Sequence, residues 1–244
     1  TIMGYAGLTD TTDVQSNSDD YFHRVSINQI NTVLSTKTCD VETSISNNPP
    51  TISALSNYTI PKETAFVLTA NASDADGDSL TYSWEQVDNA DVFITKSNLG
   101  NTTSGASFRS LPATSSSTRY FPKLSTVMGG SLKNTTDWEA VSTVARTSNF
   151  TVTVRDNHTS YPQLNDATQT ITVGDDGPFE LSISDKIYAS VATTLYWNVA
   201  NTNVAPYNSP NVKIDYTVNN GSTWVVLASS TANDGNQAFT FPVS

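Results

Sequence analysis

Cations are scarce in this chain. Its 244 residues hold 12 Lys and Arg against 23 Asp and Glu, a formal net charge of -11. That balance repels phosphate backbones, and no block of Lys or Arg offsets it, so nucleic acid is not an expected partner. Charged residues of both signs make up only 14%, where about a quarter is usual. Long apolar runs are also missing. No stretch reaches the roughly 18 apolar residues of a spanning helix, so no membrane span is expected. There is one cysteine, Cys39, and the chain therefore closes no disulfide within itself. No G-x-S-x-G elbow and no glycine-rich phosphate loop occurs, which leaves serine-hydrolase and nucleotide chemistry unsupported.

The chain is rich instead in small polar residues: about 90 are Ser, Thr or Asn. Thr is β-branched and stiff, and it suits a pleated surface better than a helix. Four Trp, ten Tyr and nine Phe supply core-forming side chains, which argues against disorder. The expected class is mainly β, with two immunoglobulin-like antiparallel β-sandwich modules preceded by a turn and one α-helix.

Residues 1–40 stand apart. Phe22, Val25, Gln29/Ile30 and Val33/Leu34 recur at three- and four-residue steps, which predicts a helix over 19–34 with one apolar stripe. Ser18 is placed to cap it, and Asp19 and Asp20 complement the N-terminal dipole. Residues 41–50 read as a linker ending in Asn47-Asn48-Pro49-Pro50, which cannot continue a helix. From Thr51 the period switches to two. Strands are expected at 51–56, 65–72, 79–87, 91–95, 106–109, 148–155 and 167–173, in one sandwich over 51–174. Trp84 sits where an immunoglobulin-like third strand buries its tryptophan. Residues 96–147 read as a long, partly irregular insertion packed on that sandwich. After Gly174 a second module, 175–244, offers strands at 179–184, 193–201, 212–219, 223–230 and 237–243. Asn219-Asn220-Gly221 is a hairpin turn between two of them. Five strands are few for a full sandwich, so this module is expected to be incomplete or a smaller sheet docked on its neighbour.

Asp74-Ala75-Asp76-Gly77-Asp78 puts three carboxylates within five residues. Calcium takes six to eight hard oxygens, and alternating Asp side chains can converge on one ion. Asp74, Asp76, Asp78 and Asp156 are therefore calcium candidates, with groups near Asn47 and Asn48 able to complete the shell. The plain alternative is a turn, since Asp and Gly are turn residues in any case. A calcium ion here would tie the linker to the sandwich.

The start of the chain, Thr1-Ile2-Met3-Gly4-Tyr5, resembles the Met-turn of the metzincin zinc peptidases. Together with Ala6-Gly7, Asn17 to His23 and Ser26 to Ile30, it looks like the end of the catalytic domain of secreted, reprolysin-like bacterial metallopeptidases. The linker and the Asp-Ala-Asp-Gly-Asp sandwich resemble the cadherin- or PKD-like modules that follow such domains. The resemblance implies that residues 1–40 close a catalytic domain and that Met3 lies beneath its zinc. It implies that Tyr5 stands beside the metal and that the chain is extracellular and part of something longer. Zinc in that family is held by H-E-x-x-H plus a third His, with the Glu as general base. This chain has only His23 and His158. Zinc, and the protein substrate, would therefore belong to the parent enzyme, and this chain would be an inactive accessory region for spacing, anchoring or substrate binding.

A second reading remains open: a non-catalytic extracellular adhesion or binding protein whose β modules take a polysaccharide or a protein. Exposed aromatics such as Trp138 and Trp224 suit sugar stacking in that reading, and core packing in the plainer one. His23 is read as a helix residue and His158 as a loop residue.

Overall fold

The computed structural model describes residues 1–4, 6–39, 41, 43–182 and 187–242. The chain is mainly β. After a 3-10 turn at Asp10–Thr12 comes α1 (Arg24–Leu34), then β1 (Thr51–Ile52), β2 (Tyr58–Pro61), β3 (Phe66–Thr69), β4 (Ala72–Ser73) and β5 (Thr81–Gln86). The insertion supplies β6 (Thr118–Phe121), α2 (Leu124–Met128), β7 (Lys133–Asn134) and β8 (Glu139–Ala140). The long strands β9 (Arg146–Arg155) and β10 (Leu164–Gly174) complete the first module. The second holds β11 (Glu180–Ser182), β12 (Ala192–Asn198), β13 (Asn211–Tyr216), β14 (Val225–Ala232) and β15 (Asn236–Thr240).

The first module is built on a four-stranded sheet in the order β2-β10-β9-β5. The pairs β1-β4 and β3-β6 form the other layer. Phe150, Val152 and Val154 on β9 and Ile171 on β10 pack with Leu68 on β3 and Phe121 on β6, and the intervening Thr151 and Thr153 are buried as well. Trp84 is buried among them and its indole N–H donates to the Ser117 carbonyl at 3.0 Å. Phe66, Phe108, Phe121 and Phe150 form an aromatic quartet, with Phe66 stacked on Phe121 at 5.0 Å and the other pairs edge-on or tilted. Such offset and edge geometries suit the ring quadrupoles. Arg119 enters this core through an ion pair with the fully buried Glu139 at 2.8 Å. Burial pulls its pKa below the usual guanidinium value, against the upward pull of Glu139.

Several expectations need correction. The sandwich is not purely antiparallel, because β2 pairs parallel with β10. The chain switches layers between β1 and β2, so the run expected at 51–56 is cut to two residues. No strand forms at 91–95. There Thr95 N–H bonds Asn98 Oδ1, Asn98 Nδ2 bonds the Phe93 carbonyl, and Asp91 N–H bonds Ser104 Oγ. Side chains have taken the backbone partners that a ladder would need. Residues 106–109 contribute one bridge, Phe108 to Glu139. The helix begins at Arg24, not Asp19, and is capped by His23, whose Nδ1 accepts the Val25 N–H. Ser18 instead donates to the Gly4 carbonyl. The residues before Arg24 are held instead by contacts to the sandwich described below.

The insertion does pack. Leu99, Trp138 and Ala140 form a small second core with Ile94 against them. The second module comprises the sheet β11-β12-β15 and the separate pair β13-β14. Its hairpin turn is as expected: Asn220 and Gly221 both have positive φ (54° and 81°), and Ser222 N–H returns to the Asn219 carbonyl.

Candidate functional site

The acidic loop and the linker meet. Asp74 Oδ1 accepts the N–H groups of Asp76 (2.9 Å) and Asp78 (3.1 Å), so the loop closes on its own first carboxylate. Gly77, at φ +83°, makes the reversal possible. Asp76 then reaches across to the linker. It accepts the Asn48 N–H at 2.8 Å and the Asn48 side-chain amide at 3.1 Å.

Asp156 follows β9 and is 1% exposed. Its carboxylate accepts the N–H groups of His158 (3.1 Å) and Gln163 (2.9 Å) and the Asn47 amide at 2.5 Å. Burial alone would raise its pKa, but these donors outweigh burial and hold it below the usual carboxylate value. Asn47 Nδ2 also donates to the Tyr161 carbonyl at 2.8 Å, which fixes the amide's orientation and leaves its Oδ1 facing away from both acceptors. The linker is thus clasped at two adjacent residues, Asn47 by Asp156 and Asn48 by Asp76.

What remains unpaired bears on calcium. Asp74 Oδ2, Asp78 Oδ2 and Asn47 Oδ1 are all buried without a hydrogen-bond partner. Buried oxygens left in that state are costly, the more so on carboxylates. They are also the hard donors that calcium takes. Among the described residues, no three His, Cys, Asp or Glu side chains stand together as a finished cage. The donors are therefore present on neighbouring segments but not drawn together. Asp156 and Asp76 serve first as hydrogen-bond hubs.

At the start of the chain, Gly4 N–H bonds the Thr1 carbonyl at 3.1 Å, so Thr1 to Gly4 do form a tight turn. Met3 is 61% exposed on it. Tyr5 lies outside the described residues. Ile2 N–H donates to the Tyr21 carbonyl, which couples the turn to the approach to α1.

That approach is fixed to the sandwich by a polar seam that the sequence reading missed. Glu85 on β5 is 1% exposed. It accepts the Arg24 backbone N–H at 2.8 Å and the Ser110 hydroxyl, with His23 Nε2 at 3.8 Å. Arg24 itself pairs with Asp166 on β10 at 2.7 Å. Tyr21 shares a 2.7 Å hydrogen bond with Ser110, and burial above all pushes its pKa up to about 12, with Glu85 adding to the rise. Arg109 binds Gln15 and approaches Asp19 at 3.9 Å. The one signal available in the sequence was a carboxylate inside a buried strand, between Trp84 and Gln86, since an unpaired charge is not left there. Beyond Arg24 no described hydrogen bond or ion pair joins the helix to the sandwich, although Ser26 and Ile27 are half-buried. No residue of α1 is buried, and Val25, Ile30, Val33 and Leu34 leave the stripe open to solvent.

Among the described residues neither histidine stands in a cluster that could hold a metal: His23 Nδ1 accepts the Val25 N–H at the helix cap, and His158 Nδ1 accepts the N–H of Tyr161 at 3.0 Å. Trp138 is 5% exposed in the insertion core, with Lys96 Nζ over its ring at 5.8 Å, so it is a packing residue and not a sugar platform. Trp224 is 43% exposed. No described helix is long and apolar enough to cross a membrane. In comparisons with known proteins, no family model and no curated protein matches this chain.

Proposed function

We propose that this chain is the C-terminal accessory region of a secreted zinc metallopeptidase of the metzincin type. In this reading residues 1–40 are the last turn and helix of the catalytic domain, and the two β modules, read as immunoglobulin-like, act as spacer and substrate-binding units. The observation that carries it is the division of labour in residues 1–34. Gln15, Asp19, Tyr21, His23 and Arg24 reach the first sandwich through polar contacts, while Met3, Val33 and Leu34 are largely exposed and Phe22, Val25 and Ile30 partly so. An 11-residue helix with no buried side chain is marginal by itself. A second body on its apolar stripe would supply the missing burial, as a catalytic domain would. The zinc-bound water and its general base belong to that body, and no step of peptide cleavage falls to residues of this chain.

Calcium is the cofactor proposed for the chain itself. Asp74, Asp78 and Asn47 would hold it, with Asp76 and Asp156 ordering the loop and linker around it. The ion would neutralise the carboxylates and stiffen the joint between residues 41–50 and the sandwich.

Reading the coding sequence upstream of Thr1 tests the family assignment. An H-E-x-x-H with a third His in the same frame is expected. An unrelated upstream sequence would sink the peptidase reading and favour the extracellular binding protein.

A further inference from the structure

The two β modules touch at two separated places, and a cleft lies between. At one end Lys62 N–H donates to the Asp176 carbonyl and Phe179 N–H to Thr64 Oγ1 at 3.0 Å. Gly177 packs there so closely that a Cβ would stand 2.2 Å from the Lys62 carbonyl oxygen. At the other end the Asn220-Gly221 hairpin tip rests on α2, where a Cβ on Gly221 would stand 2.5 Å from a Leu124 methyl. The cleft is open to solvent and measures about 1430 Å³. That exceeds the roughly 300–1,000 Å³ of ordinary small-ligand pockets.

Its walls are apolar. Met128 and Leu132 line one side, and Leu181, Val218, Trp224 and Phe241 line the other. Met128, Leu181, Val218 and Trp224 are all substantially exposed. Polar side chains, Asn101, Thr143 and Thr217 among them, also line the cleft, but the wall around Trp224 is mainly apolar. The lining charge is mainly negative: Glu63, Glu180 and Asp215 against Lys133. Lys213 pairs with Asp215 at 2.7 Å, so Glu63 and Glu180 are the acids that make the rim negative. Lys133 Nζ is committed to the Ser97 and Leu99 carbonyls. The field of the whole chain, at -11, adds to this.

We propose that this inter-module cleft binds a polypeptide segment that is both apolar and positively charged. Apolar side chains fill the walls around Leu181 and Trp224, and Lys or Arg side chains meet the acidic rim. Size, apolar lining and charge complementarity together favour this occupant. The inference is independent of the peptidase reading.

The test uses the whole chain and three synthetic peptides: one alternating Leu and Lys, its Glu-for-Lys counterpart and its Ser-for-Leu counterpart. Binding is read by calorimetry and by Trp fluorescence. The Leu/Lys peptide is expected to bind at least tenfold more tightly than either counterpart, more weakly at high salt. Leu181→Lys and Val218→Lys, both at exposed positions, are expected to weaken it at least tenfold with an unchanged melting temperature. The proposal is overturned if the Leu/Lys peptide fails to bind at millimolar concentration, if all three peptides bind alike, or if both variants bind as the wild type does. Preferential binding of a neutral oligosaccharide at Trp224 would also overturn it.

Discussion

Replacing Asp156 by Ala removes the acceptor on which the linker joint turns. The N–H groups of His158 and Gln163 each lose a charged acceptor, and Asn47 keeps only the Tyr161 carbonyl. A hydrogen bond to a charged group contributes about 1.5–3 kcal/mol, and a donor left buried costs about 1–3 kcal/mol. Two such losses alone give about 3–6 kcal/mol for the first module. Urea denaturation followed by circular dichroism measures the loss, and limited proteolysis should show new cleavage near Asn47. The pH dependence has a defined sign. The folded pKa of Asp156 is depressed, so its contribution is fully present above the unfolded carboxylate value of about 3.9 and fades as pH falls through the lower folded value. Wild type and Asp156→Ala should therefore converge in stability only in strong acid. A loss under about 1 kcal/mol at neutral pH, or a linker equally protected in both proteins, would refute the clasp.

Phe121 is fully buried at the centre of the aromatic quartet, so Phe121→Ala should cost about 3–5 kcal/mol in urea denaturation. Tyr21 should ionise late, near pH 12, in an ultraviolet titration of the ten tyrosines. Because its pKa is raised, the seam's contribution holds below about pH 10 and is lost as pH climbs through the folded value; Tyr21→Phe should remove the late ionisation. If calcium fills the acidic loop, millimolar calcium should raise the melting temperature above that in excess EDTA, and Asp74→Asn together with Asp78→Asn should abolish the difference. Identical melting in the two buffers would dismiss the ion.

The strands β9 and β10 were legible because their alternation is long and undisturbed, from Phe150 to Val154 and from Ala167 to Val173. The Asn220-Gly221 turn was legible because few residues tolerate its backbone. The short strands β2 and β6 were not legible, since their pairing is decided by partners more than 45 residues away. The helix start was misplaced because Tyr21 and Arg24 are held by Ser110, Glu85 and Asp166, and tertiary contacts of that kind leave no local pattern. The linker and the acidic loop were expected to meet through a calcium ion, on residue chemistry and the cadherin-like resemblance; the contacts seen are Asn47 to Asp156 and Asn48 to Asp76. They are direct hydrogen bonds, with the three unpaired oxygens left beside them. Of the two readings open for Trp138, packing is the one seen, with Leu99 and Ala140 beside it in the small second core.

We propose that this chain completes a zinc peptidase. The most direct measurement is metal content and proteolysis of the full-length product of the reading frame. One zinc per chain is expected, with cleavage of an unfolded protein that a zinc-selective chelator abolishes, and no cleavage by residues 1–244 alone. A full-length protein that carries no zinc and cuts nothing would contradict it.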